Sequence, residues 1–359
     1  MTMAFPAPRR PARKVVMGGV EIGGGAPVSV QSMTNTRTSD TAATSAQIER
    51  LAYAGCQIAR MAVPDAASVE ALREIIGRSP IPVVADVHFD HTLAVGAVQA
   101  GAHGVRINPG NIGSDDRVRA VVDAAAAAGI PLRIGVNAGS LEKDILERDG
   151  RPTAEGLAES CMRHLALVEG MGFADVILSI KASDVGMTVE ANRIVASECD
   201  CPLHLGITEA GTVMSGAVRS AVGLGVLLAD GIGDTIRVSL AGPPEDEVLV
   251  GRRILSSLGL ERGGVTVVAC PTCGRTTLDV AAIAEDVERL TSHMRTHMTV
   301  AVMGCAVNGP GEAREADVGV AGGGDDVVLF SEGRVTARIS AEDALDALMN
   351  EIRKRVASE

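Results

Sequence analysis

Residues 82–108 read PVVADVHFDHTLAVGAVQAGAHGVRIN. Two apolar, β-branched runs, Pro82–Val87 and Gly104–Asn108, flank a segment that closes on Gly101. Such a unit is a strand, a helix ended by a glycine, and a second strand. Working outward, the same unit recurs from residue 28 to about residue 240. The apolar runs are Val28–Met33, Gln57–Val63, Pro82–Val87, Gly104–Asn108, Leu132–Asn137, Asp175–Lys181, Leu203–Thr208 and Asp234–Leu240. Between them lie segments of helical period, such as Ser45–Ala54 with Ile48, Leu51 and Ala52 on one face. Another follows Pro152 and spaces Leu157, Cys161, Leu165 and Val168 along one side. Glycines close these helices at Gly55, Gly101, Gly129 and Gly172. Eight strand–helix units predict a (β/α)8 TIM barrel over residues 28–260, preceded by an N-terminal extension and lead-in over 1–27. An open doubly wound sheet is the competing α/β architecture. It would more often carry a G-x-G-x-x-G turn after its first strand, and none follows Val28–Met33.

A break at Gly242, Pro243 and Pro244, a helix to about Leu258 and a Gly263–Gly264 linker lead into a second unit over 261–359. It reads as a small α+β domain. Strands are expected at Val265–Ala269, Thr299–Met303, Val318–Ala321, Val327–Phe330 and Val335–Ile339, with helices over Thr277–Leu290 and from Ser340 onward.

Hydrophobic residues make up 46% of the 359 and aromatics only 1%, so the core is built from Val, Ile, Leu, Ala and Met. That suits helices laid on a parallel sheet. A formal net charge of -12 and the dearth of aromatics argue against nucleic acid as a partner. Arg9, Arg10 and Arg13 are not followed by an apolar stretch, and the longest apolar run, Ala221–Ala229, is too short to span a bilayer. A soluble, cytoplasmic protein without membrane contact is expected. The cysteine count, seven, is odd, which favours metal or cluster ligation over a disulfide framework.

Barrel enzymes carry their chemistry at the C-terminal ends of the strands. Those ends hold Arg60, Asp86 and His88, Arg106 and Asn108, Arg133 and Asn137, Lys181, Thr208 and Glu209, and Arg237 and Ser239, after Gln31–Asn35 on the first strand. Residues two apart point to one side of a strand, so Arg106 with Asn108 and Arg237 with Ser239 face together. Five cations (Arg60, Arg106, Arg133, Lys181 and Arg237) then converge on one mouth. Taken singly, each could pair with a local carboxylate such as Asp86, Asp184 or Glu209. Taken together, they outnumber the carboxylates, and a diphosphate is the natural counterpart. Glu209 is a candidate proton donor, though alone it would serve as a helix N-terminal acid. His88 beside Asp86 is either catalytic or a satisfied structural histidine.

Cys270-Pro-Thr-Cys273 follows one strand and Cys305 follows the next, which brings three thiols to one edge of the small domain. Structural zinc is usually closed by four ligands, and no fourth cysteine lies near; three thiolates fit a [4Fe–4S] cluster with one reactive iron. Cys56, Cys161, Cys199 and Cys201 stand apart from this group.

With these segments on view, the sequence resembles the bacterial 4-hydroxy-3-methylbut-2-enyl-diphosphate synthase family over nearly its whole length. The segments are VQSMTN (30–35), PVVADVHF (82–89), VRINPGNIG (105–113), IGVNAG (134–139), LHLGITEAGT (203–212), GIGDTIRVS (231–239), ACPTCGR (269–275) and VMGCAVNGPGE (302–312). Only Met1–Ala12 looks like an extension of this chain's own. The resemblance implies a TIM barrel followed by a cluster domain similar to modules of sulfite and nitrite reductases. It implies a [4Fe–4S] cluster on Cys270, Cys273, Cys305 and Glu312, with Glu312 yielding its iron to a substrate oxygen. It implies a head-to-tail homodimer, and flavodoxin or ferredoxin as electron donor. The implied substrate is a cyclic diphosphate held by Arg60, Arg106, Asn108, Arg133, Asn137, Lys181, Arg237 and Ser239. Glu209, Asp86 and His88 are the implied catalytic group. Two other classes compete: a non-redox barrel synthase with a structural zinc tail, and a non-catalytic iron–sulfur sensor.

Overall fold

The structure is a computed structural model, and it describes residues 5–261, 263–294, 296–305, 315–324 and 326–357. One compact unit runs to Glu261 and a second follows it.

A short antiparallel hairpin, β1 (Val15–Met17) and β2 (Val20–Ile22), precedes the barrel. The barrel then alternates strand and helix in sequence order: β3 (Ser29–Met33), α1 (Thr41–Ala54), β4 (Ile58–Ala62), α2 (Ala66–Arg78), β5 (Val83–Asp86), α3 (His91–Gln99) and β6 (Gly104–Ile107). A short α4 (Pro109–Ile112) precedes α5 (Asp115–Ala128) and β7 (Leu132–Asn137); α6 (Lys143–Asp149) and α7 (Ala154–Gly170) precede β8 (Val176–Lys181). The barrel ends with α8 (Val185–Glu198), β9 (His204–Leu205), α9 (Val213–Ala229), β10 (Thr235–Ile236) and α10 (Pro244–Ser257). Strand order in the sheet is β8-β7-β6-β5-β4-β3-β10-β9, and every pairing is parallel. A bridge between Leu178 and Leu203, with Leu178 N donating to the Pro202 carbonyl at 2.9 Å, joins β9 to β8 and brings the sheet round on itself.

Each expected apolar run contains a strand, shorter by a residue or two where the chain bends away from the ladder. The last two runs keep only two residues each in β geometry, β9 and β10. Helix starts are chemically marked: the Asp40, Asp65, Asp90, Thr153 and Asp184 side chains accept from backbone N–H groups of their first turns. Gly55 and Gly129 end α1 and α5 in the left-handed conformation, whereas Gly101 and Gly172 sit one residue past the caps Ala100 and Met171.

The hairpin was not foreseen within 1–27. Its Val15, Met17 and Ile22 pack with Ile58, Val84 and Ile177 of the barrel strands and close the N-terminal end of the barrel. Nearby, Arg9 pairs with Asp234, and Arg10 donates to the Cys199 and Cys201 carbonyls.

The second unit is a mixed sheet in the order β11 (Val265–Ala269), β12 (Met298–Met303), β13 (Val318–Gly322), β14 (Val327–Ser331) and β15 (Arg334–Ile339). The first two pairings are parallel and the last two antiparallel. Alternation divides β12: Val300 and Val302 join the core beneath α11 (Val280–Thr291) and α12 (Ala344–Ala357), while Ala301 and Met303 face the other side with Phe330. The expected helix at Thr277 begins three residues later, capped by Asp279. The one expected at Ser340 begins at Ala344, after a turn in which Ser340 and Asp343 bond each other.

Candidate active site

Parallel strands present alternate side chains to the barrel interior, so polar residues at alternate positions meet one another there. Arg133 on β7 reaches across to β3, four strands away in an eight-stranded ring, where Nη1 donates to Gln31 Oε1 at 2.8 Å. Gln31 in turn donates to Thr235 Oγ1 at 2.8 Å. Lys181 Nζ stands 3.2 Å from His204 Nε2, and both side chains are buried.

Asp86, only 4% exposed, sits between two arginines: Arg106 Nη1 at 3.2 Å and Arg60 Nε at 3.6 Å. His88 Nε2 lies 3.6 Å from the same carboxylate. Burial alone would raise the Asp86 pKa; the Arg60 charge, the neighbouring His88 imidazole and the Arg106 charge outweigh it and hold the carboxyl ionised well below the usual range. Burial brings Arg60 down to about 10 despite Asp86. Arg237 is clamped by Glu247 of α10, with Nη2 to Oε1 at 2.9 Å and Nε to Oε2 at 3.2 Å. Glu247 also accepts from Ser32 Oγ at 2.8 Å and Leu240 N at 3.1 Å.

Arg133 and Lys181 have no carboxylate against them among the described residues. Arg133 leaves Nε and Nη2 buried without a partner. Burial, followed by the charge of Arg60 and the neighbouring cations, drives the pKa of both Arg133 and Lys181 well down. A buried charge with no counter-ion is costly, and these two side chains are the ones in the cluster that bear that cost.

Above this cluster lies a cavity of about 440 Å³ lined by His88, Arg106, Asn108, Asn137, Thr208 and Glu209. Asn108 donates to Ser140 Oγ at 2.9 Å and accepts from Gly110 N at 3.1 Å, which fixes the loop after β6 against the turn after β7. Glu209 adopts a left-handed backbone conformation, φ +52°, rare outside glycine and tolerated where surrounding structure enforces it. Two glycines clear room for the cations. A Cβ at Gly135 would stand 2.4 Å from Arg106 Nε, and one at Gly206 would stand 2.7 Å from Lys181 Nζ.

The structure thus gathers Arg60, Asp86, His88 and Arg106 by direct contact, and sets Asn108, Asn137 and Glu209 round one cavity with His88 and Arg106. Ser239 is half-buried, two residues beyond Arg237. The pairing expected of each arginine singly is met in part. Asp86 serves two of them, and Glu247, which sequence reasoning missed, serves Arg237. Asp184 caps α8 instead. Glu247 lies in a run of acids opening α10, where it reads as a helix N-terminal residue. His204 was missed too, although it alternates with Gly206 and Thr208 along the seventh run.

In the second unit, Cys270 directly follows β11 and Cys305 lies two residues past β12, at the same edge because the strands are parallel. Gly304 N donates to Cys270 Sγ at 3.1 Å, and Thr277 N donates to the Gly304 carbonyl at 2.9 Å, tying the Cys270–Cys273 turn to the segment that bears Cys305. None of the three cysteines is in a disulfide. Among the described residues no three His, Cys, Asp or Glu side chains are grouped closely enough to share a metal ion. Glu312, the remaining expected ligand, lies outside the described residues. The soft thiol donors and an amide N–H already directed at one sulfur suit an iron–sulfur group. Cys56, Cys161 and Cys201 are buried in the barrel unit, and Cys199 is half-buried there.

A parallel eight-stranded barrel whose mouth carries more cations than carboxylates, followed by a unit with three cysteines at one sheet edge, defines a barrel enzyme for a multiply charged anion. Residues 12–252 match the GcpE TIM-barrel domain, and residues 266–354 match the GcpE protein C-terminal domain. The chain belongs to the GcpE family. Similar proteins include the 4-hydroxy-3-methylbut-2-en-1-yl diphosphate synthase (flavodoxin) of Geobacter sulfurreducens, 54% identical over 96% of this chain and 98% of that one. The protein of the same name from Bacillus subtilis is 50% identical over 96% and 91%. Among solved structures, the type I 3-dehydroquinate dehydratase of Clostridium difficile aligns with a TM-score of 0.51 at 16% identity, covering 69% of this chain and 97% of that one, a likeness of fold alone. Among the described residues no helix is long and apolar enough to cross a membrane.

Proposed function

We propose that this chain is a cytoplasmic oxidoreductase of the non-mevalonate isoprenoid pathway. It reduces 2-C-methyl-D-erythritol 2,4-cyclodiphosphate to (E)-4-hydroxy-3-methylbut-2-enyl diphosphate. Two electrons and two protons enter; the ring opens at the tertiary carbon–oxygen bond and one hydroxyl leaves as water. The observation that carries this reading is the charge imbalance at the barrel mouth, where five cations face two paired carboxylates, Asp86 and Glu247, and Arg133 and Lys181 lack a counter-ion.

Arg60, Arg106, Arg133, Lys181, Arg237 and Ser239, with Asn108 and Asn137, hold the diphosphate. Arginine forks suit phosphate oxygens, and the low-dielectric barrel interior strengthens each contact. Asp86 keeps Arg60 and Arg106 aimed, and Glu247 does so for Arg237. Glu209, at the cavity wall, delivers the proton that lets the hydroxyl leave as water. His88, against Asp86 and on the cavity wall, shapes the site. Cys270, Cys273, Cys305 and Glu312 would hold a [4Fe–4S] cluster, which supplies one-electron reduction with flavodoxin or ferredoxin as donor. The working form is a head-to-tail homodimer.

The test is an anaerobic assay with the cyclodiphosphate and a reducing system, alongside iron, sulfide and EPR analysis. Formation of the allylic diphosphate with iron and sulfide bound is expected. Bound zinc, no colour and donor-independent turnover would establish the non-redox alternative instead.

A further inference from the structure

Beneath the cavity, His204 and Lys181 form a buried pair to which the proposed chemistry assigns only half a role. His204 opens β9 and is 1% exposed, with Nε2 3.2 Å from Lys181 Nζ and Nδ1 buried without a partner. Gly206, two residues on, lets the lysine pass: a Cβ there would meet Nζ at 2.7 Å and the Arg237 carbonyl oxygen at 2.6 Å. The charged groups facing Lys181 are Arg60 of β4, Arg106 of β6, Arg133 of β7, and Arg237 just after β10. The neighbouring carboxylates, Asp86 and Glu247, are already engaged by arginines.

An ammonium has only donors, and a neutral imidazole has one acceptor nitrogen. A second charge on the ring would add to a cluster that is already cationic, and burial together with the Lys181 charge opposes it. When Lys181 is charged, Nε2 must therefore accept, and the ring proton resides on Nδ1.

We infer that His204 is the positioning residue for Lys181: a neutral imidazole whose Nε2 accepts one N–H of the ammonium, holds it in the barrel centre, and leaves its other two donors for the anion. This rests on the reading of Lys181 as a diphosphate ligand. The acceptor also favours the charged lysine against four arginines. Anion affinity should then fall as pH rises through the Lys181 midpoint, and losing the acceptor should move that midpoint lower.

The chain has four lysines, Lys14, Lys143, Lys181 and Lys354, so full-length protein carrying lysine labelled with 13C at Cε gives four signals to titrate. Inorganic diphosphate binding is followed by calorimetry on anaerobic holoprotein. In H204L the Lys181 midpoint should drop by about one pH unit or more, and diphosphate binding should weaken about tenfold or more. H204Q, which keeps an acceptor, should recover most of both. A Lys181 midpoint unmoved in H204L overturns the inference. So does equal loss in H204Q and H204L with a lowered Tm, the mark of a packing role. If wild-type protein binds no diphosphate, the proposed function fails, while the lysine titration still decides whether His204 sets Lys181.

Discussion

At the scale of single residues, the site is a balance of buried charges, and each charge has its own consequence when removed. Asp86 is buried between Arg60 and Arg106, so D86N leaves two cations uncompensated and should cost about 3–5 kcal/mol in urea unfolding at neutral pH. Its folded pKa is depressed, so its stabilisation is whole above the unfolded carboxyl value of about 4 and fades as pH falls through the folded value. The gap between wild type and D86N should therefore narrow only in acid. Arg133 behaves oppositely. It has one hydrogen bond, two orphaned nitrogens and three arginines against a single carboxylate, Asp86, for charged company, so R133M should raise Tm by a few degrees while diphosphate binding drops by about tenfold or more. Glu209 lines the cavity in a strained backbone conformation. E209Q should keep iron content and fold and lose turnover by about 100-fold or more, measured under anaerobic reduction. Most of these side chains were legible in the sequence, because charge at alternate positions of an apolar run has few explanations. Their partners were less so: Glu247 arrives from a helix start, where acids are commonplace.

At the scale of elements, period and punctuation made the barrel legible: apolar runs of strand length, helical spacing between them, and glycines near the helix ends. The β1–β2 hairpin was not legible, because three-residue strands carry little periodicity and its role depends on fitting Met17 and Ile22 into an end that exists only once the barrel closes. The glycines within strands are a further case. Gly135 and Gly206 look like weak points of β7 and of the run containing β9, yet each makes room for a cation. G135A would meet the Arg106 guanidinium and push it off buried Asp86, so the stability cost should exceed about 1 kcal/mol and stay below that of D86N, because Arg60 still faces the carboxylate. Swinging Arg106 away from Asp86 and the cavity should also weaken diphosphate binding by about tenfold in calorimetry. At Gly206 the Cβ also meets a backbone oxygen, so G206A should cost more stability than G135A.

At the scale of the whole molecule, charge on the outer faces of the barrel helices sets one helix apart from the others. Helices α2, α5 and α8 present Glu70, Arg73 and Glu74, then Asp115, Asp116 and Arg119, then Glu190 and Arg193 outward. Helix α9 differs. Met214, Val218, Val222 and Val226 recur every four residues along it, at 77, 56, 53 and 37% exposure, and Arg219 is its one charge. A row of that kind over about 18 Å of helix is unusual on an acidic protein unless something covers it. In the head-to-tail homodimer proposed above, the second copy of the chain is the expected cover. V222E should leave Tm within about a degree, because the position is exposed, and should shift the sedimentation coefficient from dimer to monomer at micromolar concentration. An unchanged dimer in V222E would move the interface off α9. A wild-type chain that sediments as a monomer at every concentration would remove the homodimer itself.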